Sequence, residues 1–243
     1  MKKLLTIVVC GGILGELAET APDEVEFLYT ENNEADLPSV LKQAKGKYIY
    51  LLPSGFALTD LHIMVRVLSD KDTDLVSFAN GAAAKNSLFK GLNFKDNNCA
   101  FLFGVFSALE AKTLTKTQYS PVCKSGDGAL FNADANEGIL IACTEFKKVK
   151  AKLTKEIYAY VSDMLIAKLT EFYMLAILAI RGGNYTADKL LEFDAILKGE
   201  IVLYLALEKH FPVTRLEKLR EKKFKISVFT AKKLKKYFTK KDA

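Results

Sequence analysis

Several features that would announce a function are missing from this sequence. The four cysteines, Cys10, Cys99, Cys123 and Cys143, stand far apart. They form no Cys-x-x-Cys pair and no cysteine–histidine cluster, which argues against a zinc site. The two histidines, His62 and His210, fall in helical stretches without a recognisable partner. No serine sits in a Gly-x-Ser-x-Gly setting, so a hydrolase elbow is not expected. Long apolar runs are absent as well: the best, residues 172–180, is about half of the roughly 20 residues a membrane span requires. There is no internal repeat and no low-complexity linker.

What is present describes a folded protein. Hydrophobic residues make up 50% of the 243, enough for a sizeable core and against wholesale disorder. The length fits one large domain, or a medium domain with a helical extension. Three of the cysteines lie in apolar surroundings, the usual place for a reduced thiol, so a cytoplasmic setting is expected. The net charge of +6 is unevenly spread: residues 214–243 hold twelve lysines and arginines against three acids, which leaves 23 against 26 in the rest. A basic C-terminus suits an anionic partner. The opening Met1-Lys2-Lys3 and LLTIVVCGG could pass for a lipoprotein signal. The apolar run is short for one and Val9 is bulky where a small residue is wanted, so a buried first strand is preferred.

The first part alternates strand and helix signals. Leu4–Val9 is apolar and β-branched, as a strand buried on both faces should be. Gly11-Gly12 breaks it, and Ile13–Thr20 can form a short helix. Val25–Tyr29 predicts a second strand, followed by the polar loop Thr30-Glu31-Asn32-Asn33. Leu37–Ala44 has helical spacing, and Gly46 stands where a helix C-cap glycine belongs. Tyr48–Leu52 predicts a third strand. Thr59 or Asp60 can cap a helix to Leu68, and Asp74–Ala79 predicts another strand. This alternation implies parallel strands in an α/β layer structure. From about Leu153 the chain reads as helices: Leu153–Ile180, a break at Arg181-Gly182-Gly183-Asn184, then Thr186–His210. A capping-box pattern starts a third at Thr214, and 231–239 could form a fourth.

The segments KLLTIVV, EVEFLYTENN and LKQAKGKYIYLLPSG resemble the N-terminal half of a family 2 glycosyltransferase with the GT-A fold. In that family a second strand ends in acidic residues that hold the nucleotide base. A later segment like A-K-G-K-Y-I-Y-F-L-D-S-D-D supplies carboxylates to a divalent metal on the sugar-nucleotide diphosphate. The segment ALTDLHIMVRVLSDKDTDLVSFANG resembles the family's next helix and strand. Gly126-Asp127-Gly128-Ala129-Leu130-Phe131-Asn132 is similar to a family segment G-E-D-x-L-F-N, whose acids lie near the acceptor and supply the catalytic base. The resemblance covers about residues 3–146.

The chain departs from that pattern at the acids. D-S-D-D corresponds to Pro53-Ser54-Gly55-Phe56, so only the serine remains. G-E-D corresponds to Gly126-Asp127-Gly128, with glycine at the usual base. The stretch between the second strand and Gly46 is short and lacks a strand. Hard cations want carboxylate oxygens, and an inverting transfer needs a base for the acceptor hydroxyl. A metal is therefore not expected here.

Each candidate residue has a plainer alternative. Asp127 could act as the base, or cap a turn. Glu31 and Asn32 could hydrogen-bond a base or ribose, or form a solvated turn. Gly11 and Gly12 could let a diphosphate approach the backbone, or simply turn the chain. Ser54 enters through the resemblance. Asp60 could be a displaced metal ligand, though a helix N-terminal acid explains it more simply. Lys232, Lys233, Lys235 and Lys236, interleaved with Leu234, Tyr237 and Phe238, could lie on an anionic membrane surface or form a solvated basic face. Nucleic acid is not expected.

These readings combine into a shortened GT-A-like α/β domain over residues 1–150 and a helical extension with a basic tail over 151–243. The expected function is that of a degenerate family 2 glycosyltransferase-like protein that binds a nucleotide sugar or a partner protein. Two alternatives stay open: an active metal-independent transferase acting on an envelope or lipid-linked glycan, and a non-enzymatic module docking on a membrane surface or a protein.

Overall fold

The computed structural model describes residues 3–10, 14–30, 37–53, 55–89, 99–124 and 135–197. The chain folds as two compact units, one of residues 1–129 and 148–161, the other of residues 130–147 and 162–243.

The first unit is built on a six-stranded mixed sheet. Its strands are β1 (Leu5–Cys10), β2 (Val25–Tyr29), β3 (Tyr48–Pro53), β5 (Leu75–Ser77), β6 (Ala82–Lys85) and β7 (Leu114–Lys116), in the order β2-β1-β3-β6-β5-β7. A separate pair joins β4 (Phe56–Leu58) to β8 (Val122–Lys124). Helices α1 (Leu37–Leu41), α2 (Leu61–Ser69) and α3 (Cys99–Glu110) lie between the strands in sequence.

Strand β1 is central and all six of its residues are buried, which is why its sequence runs apolar without alternation. Leu5 stands between Val25 and Tyr48, Ile7 between Phe27 and Tyr50, and Val9 between Tyr29 and Leu52. This row of β1 joins one core with Met64 and Leu68 of α2 and with Leu58, Val76 and Val122. The buried tyrosines of β3 also hold neighbouring loops. The Tyr48 hydroxyl donates to the Lys71 and Thr73 carbonyls, and the Tyr50 hydroxyl to the Asn80 carbonyl.

At the amino ends of the three parallel strands, one carboxylate ties them together. Glu26 Oε1 accepts from the Thr6 hydroxyl, the Lys45 N–H and the Gly46 N–H. Thr6 Oγ1 in turn accepts from the Gly46 N–H at 2.9 Å. This accounts for Gly46 differently from the helix-cap expectation. Helix α1 ends at Leu41, and Gly46 is not among the positive-φ glycines. A Cβ on Gly46 would instead lie 2.4 Å from the Thr6 nitrogen and 2.6 Å from the Leu5 carbonyl carbon. The residue is glycine because β3 enters the sheet against the backbone of β1.

Other expectations shift in bounds or direction. The helix expected over Ile13–Thr20 is one 3-10 turn, Gly15–Ala18. Beyond Leu41, Gln43 and Ala44 donate to Val40 and Leu41, i→i−3 bonds that tighten the chain out of the helix. The strand expected over Asp74–Ala79 is only Leu75–Ser77. Asp74 turns its carboxylate to the Lys112 and Thr113 N–H groups. The sheet is not all parallel: β6 runs antiparallel to both β3 and β5. The cause is a hairpin at Asn80-Gly81, with Gly81 at φ +87 and the Phe78 N–H bonded to the Gly81 carbonyl at 3.0 Å. Asn-Gly is a strong hairpin signal, but the alanines that follow are poor strand formers and hid β6. Strand β2 lies at the sheet edge, in keeping with the short stretch before Gly46.

The second unit is helical where described. It contains most of α4 (Ala135–Val149), the larger part of α5 (Lys155–Arg181), and α6 (Ala187–Leu197). Phe172 and Tyr173 of α5 meet Phe193 of α6 at centroid distances of 4.8 and 5.9 Å. Helix α5 ends in a Schellman motif: Asn184 N–H reaches the Ala179 carbonyl, Gly183 N–H reaches that of Ile180, and Gly183 has φ +78. Thr186 caps α6 through a bond from the Lys189 N–H. Among the described residues, no helix is long and apolar enough to cross a membrane.

Two outcomes are expected. Gly46→Ala forces a backbone shift between β1 and β3, and Glu26→Ala orphans the donors it holds. Each should lower the unfolding free energy by on the order of 2–3 kcal/mol, read from urea denaturation. The acid limb of stability should also depend on a charge cluster in which Lys47 and Lys85 pair with Asp72, and Lys85 also with Asp74. Lys47 and then Lys85 hold Asp72 below its ordinary value of 3.8. Burial alone would raise Asp74, but the Lys112 N–H and Lys85 keep it below 3.8. A carboxylate depressed on folding stabilises fully above its unfolded value and loses that contribution as pH falls through the folded one. Asp74→Asn should therefore cost more at pH 7 than at pH 2, measured by the shift in urea midpoint at each pH.

Candidate functional site

The order β2-β1-β3 contains a reversal. From β1 the chain moves outward to β2, then returns to place β3 on the other side of β1. In open α/β sheets ligands bind outside the carboxyl ends of the strands at such a switch point. Here those ends are Cys10 and Pro53, directly in register.

Gly55, just before β4, has φ +80, a conformation that favours glycine. Phe56 then enters β4, and its side chain packs against the core. Pro53 is tolerated because β6 pairs only with Tyr48, Ile49 and Tyr50, leaving the end of β3 without a ladder on that side. Gly55 at positive φ and Phe56 partly buried against the core frame this stretch. Its donor set, with Ser54 as the sole polar side chain, does not fit a hard divalent cation. Among the described residues no three of His, Cys, Asp and Glu gather in a cation-holding group.

Strand β8 brings a second segment to this end of the molecule. It pairs antiparallel with β4, and Lys124 stands across from Phe56. Several bonds anchor β8 and its approach. Thr59 N–H donates to the Pro121 carbonyl at 2.9 Å and Ala79 N–H to that of Tyr119 at 3.0 Å. The Asn80 amide donates to Ser120 Oγ, and the Tyr119 hydroxyl to the Asp60 carbonyl at 2.8 Å. Burial, with Asp60 nearby, pushes Tyr119 up to about 12, so it stays a neutral donor. Asp60 itself caps α2, its carboxylate accepting from the Ile63 N–H at 3.0 Å. The helix-cap explanation of Asp60 accounts for its position.

The candidate residues Gly11, Gly12, Glu31, Asn32, Ser54 and Asp127 all lie outside the described residues, as do Lys232, Lys233, Lys235 and Lys236. The described residues that adjoin the first six nevertheless converge. Cys10 precedes Gly11 and is in register with Pro53, which precedes Ser54. Thr30 precedes Glu31 and is bonded through its N–H to the Val9 carbonyl at 3.2 Å. Lys124, three residues before Asp127, faces Phe56. The four segments leave the described fold from one end of it. Two residues here escaped the sequence reading. Lys124 takes its place through the β4–β8 register, which leaves no mark in sequence. Tyr29 does leave one: it follows Val25 and Phe27 at the strand period of two.

No family model matches this chain, and no curated protein matches it. Among solved structures, the crystal structure of S. aureus TarS is similar, with a TM-score of 0.49 and 11% identity over 86% of this chain and 55% of that one. The match thus spans little more than half of the TarS chain. TarS 1-349 in complex with UDP-GlcNAc gives a TM-score of 0.46 at 10% identity, covering 86% of this chain and 91% of that one.

The conformation at Gly55 can be tested directly. Nothing lies within 4 Å of a Cβ on Gly55, so substitution there meets backbone strain and no collision. Gly55→Asp should lower stability by about 1 kcal/mol, and Gly55→Asn by less because asparagine tolerates positive φ, measured by urea unfolding. Manganese should not restore the stability of Gly55→Asp.

Proposed function

We propose that this chain is a glycosyltransferase-like protein of the GT-A type that holds a nucleotide sugar at the carboxyl ends of β1 and β3 without metal-dependent transfer. The observation that carries this reading is the switch point itself. Cys10, which precedes Gly11-Gly12 in the sequence, is in register with Pro53, which precedes Ser54, and β8, which pairs with β4, ends three residues before Asp127. The sequence resemblance over residues 3–146 supports the same reading. Against ordinary transfer stand Pro53-Ser54-Gly55-Phe56 and glycine at 128. Backbone N–H groups at a strand end can hold phosphate oxygens without a carboxylate-bound cation.

A second reading, an active transferase that stabilises its leaving group with a basic side chain, is favoured by one observation. Lys124 stands in register with Phe56, the first residue of β4, and positive charge can take a metal's electrostatic role toward a diphosphate.

Titration of sugar nucleotides with manganese and with a chelator, followed by assay for released nucleotide, tests both readings. The expected result is binding that is the same in manganese and chelator, with no turnover. Chelator-insensitive turnover that falls at least tenfold in Lys124→Ala would establish the second reading instead. Binding that requires manganese, or no binding of any sugar nucleotide, would overturn the proposal.

A further inference from the structure

The six-stranded sheet has two edges, and they differ. At β7 the edge is short and guarded: three residues, with the Lys116 ammonium 5.9 Å from the centre of the Tyr160 ring. Short strands and lysine are common defences against pairing with another chain. Strand β2, at the other edge, has neither. Its five residues, Val25-Glu26-Phe27-Leu28-Tyr29, include no lysine, proline or glycine, and Tyr29 is 58% exposed. The backbone of β2 turns alternately toward β1 and away from it. The Glu24 carbonyl accepts from the Leu4 and Leu5 N–H groups, and the Thr30 N–H reaches the Val9 carbonyl. The groups of Val25, Phe27 and Tyr29 therefore face outward. Those of Val25 are already taken: its N–H donates to the Pro22 carbonyl and its carbonyl accepts from the Lys3 ammonium, both at 2.9 Å. Phe27 and Tyr29 are left, and among the described residues no strand lies beside them.

We infer that the open edge of β2 takes β2 of a second copy of this chain, antiparallel, about a two-fold axis at Leu28. That register uses every open group and no taken one. The N–H and carbonyl of Phe27 bond to the carbonyl and N–H of Tyr29 in the second copy, and the axis repeats the pair. An axis at Phe27 would instead set Tyr29 against Val25, whose groups are occupied. The side chains fit the same register. Each exposed Tyr29 ring comes beside a half-buried Phe27 ring, and the two half-buried Leu28 side chains meet on the axis. Glu26 stands across from Thr30, so no like charges are opposed. Any strand offers backbone groups; this self-complementary order of side chains is what a two-fold interface between copies demands. A pair of five-residue strands is smaller than the ~1,200–2,000 Å² of a stable interface, so the dimer is reversible.

Sedimentation equilibrium of the full chain tests the pairing, with urea midpoints to check that each variant is folded. The parent should pass from monomer to dimer as its concentration rises, with a Kd on the order of micromolar to millimolar. Tyr29→Lys, at an exposed position, and Leu28→Lys, which opposes two ammonium groups on the axis, should each weaken the dimer by about tenfold or more. Mixing Leu28→Lys with Leu28→Glu should restore it, because opposite charges then meet. Under mild oxidation two copies of Leu28→Cys should join through the introduced thiols, since Cα atoms of such a pair lie about 4.5 Å apart. Ile63→Cys, exposed on α2, should give no such product. A parent that stays monomeric to about 1 mM overturns the self-pairing and leaves the edge to a strand of another protein. A dimer that Tyr29→Lys and Leu28→Lys both leave unchanged also overturns it, because that dimer forms through another surface.

Discussion

The Glu26 carboxylate is the constraint on which the rest of the first unit depends. It gathers the Thr6 hydroxyl and the N–H groups of Lys45 and Gly46, and so closes the amino ends of β2, β1 and β3 into one block. Gly46 completes that closure by omitting a Cβ where β1 backbone lies in the way. A one-residue slip would move every core side chain of β1 to the other face. The tie stands at one end of three parallel strands, so the register it sets is delivered unchanged to the other end. There Cys10, Tyr29 and Pro53 emerge with fixed spacing.

At that far end the same scaffold carries unusual chemistry. After β3 the chain has glycine at positive φ, and Phe56 packs partly buried against the core. Strand β4 begins at Phe56 and pairs antiparallel with β8. Lys124 takes its position at this end by register, and Tyr29 is exposed there.

Much of this was legible in the sequence, and the failures have physical causes. Val25–Tyr29 and the break after α5 came through intact, because a strand between turn signals and a Gly-Gly helix stop are local. The antiparallel β6 did not. Its alanines are weak strand formers, and only pairing with β3 and β5 on either side makes them one. Gly46 was read correctly as special but for a local reason, a helix cap, when the true one is contact with β1 forty residues earlier. Asp60 went the other way: its cap on α2 is local and was foreseen.

By itself, the sequence determined the strand-rich first part, the helical second part, and the lack of carboxylates after β3. Those are properties of residue type and of spacing within a few turns of chain. Only the tertiary structure decided that Cys10 meets Pro53, that Lys124 faces Phe56, and that Tyr29 stays uncovered while Val9 and Leu52 in its row are buried. Each depends on register between distant segments, and register is set by long-range packing and hydrogen bonds that no local window contains.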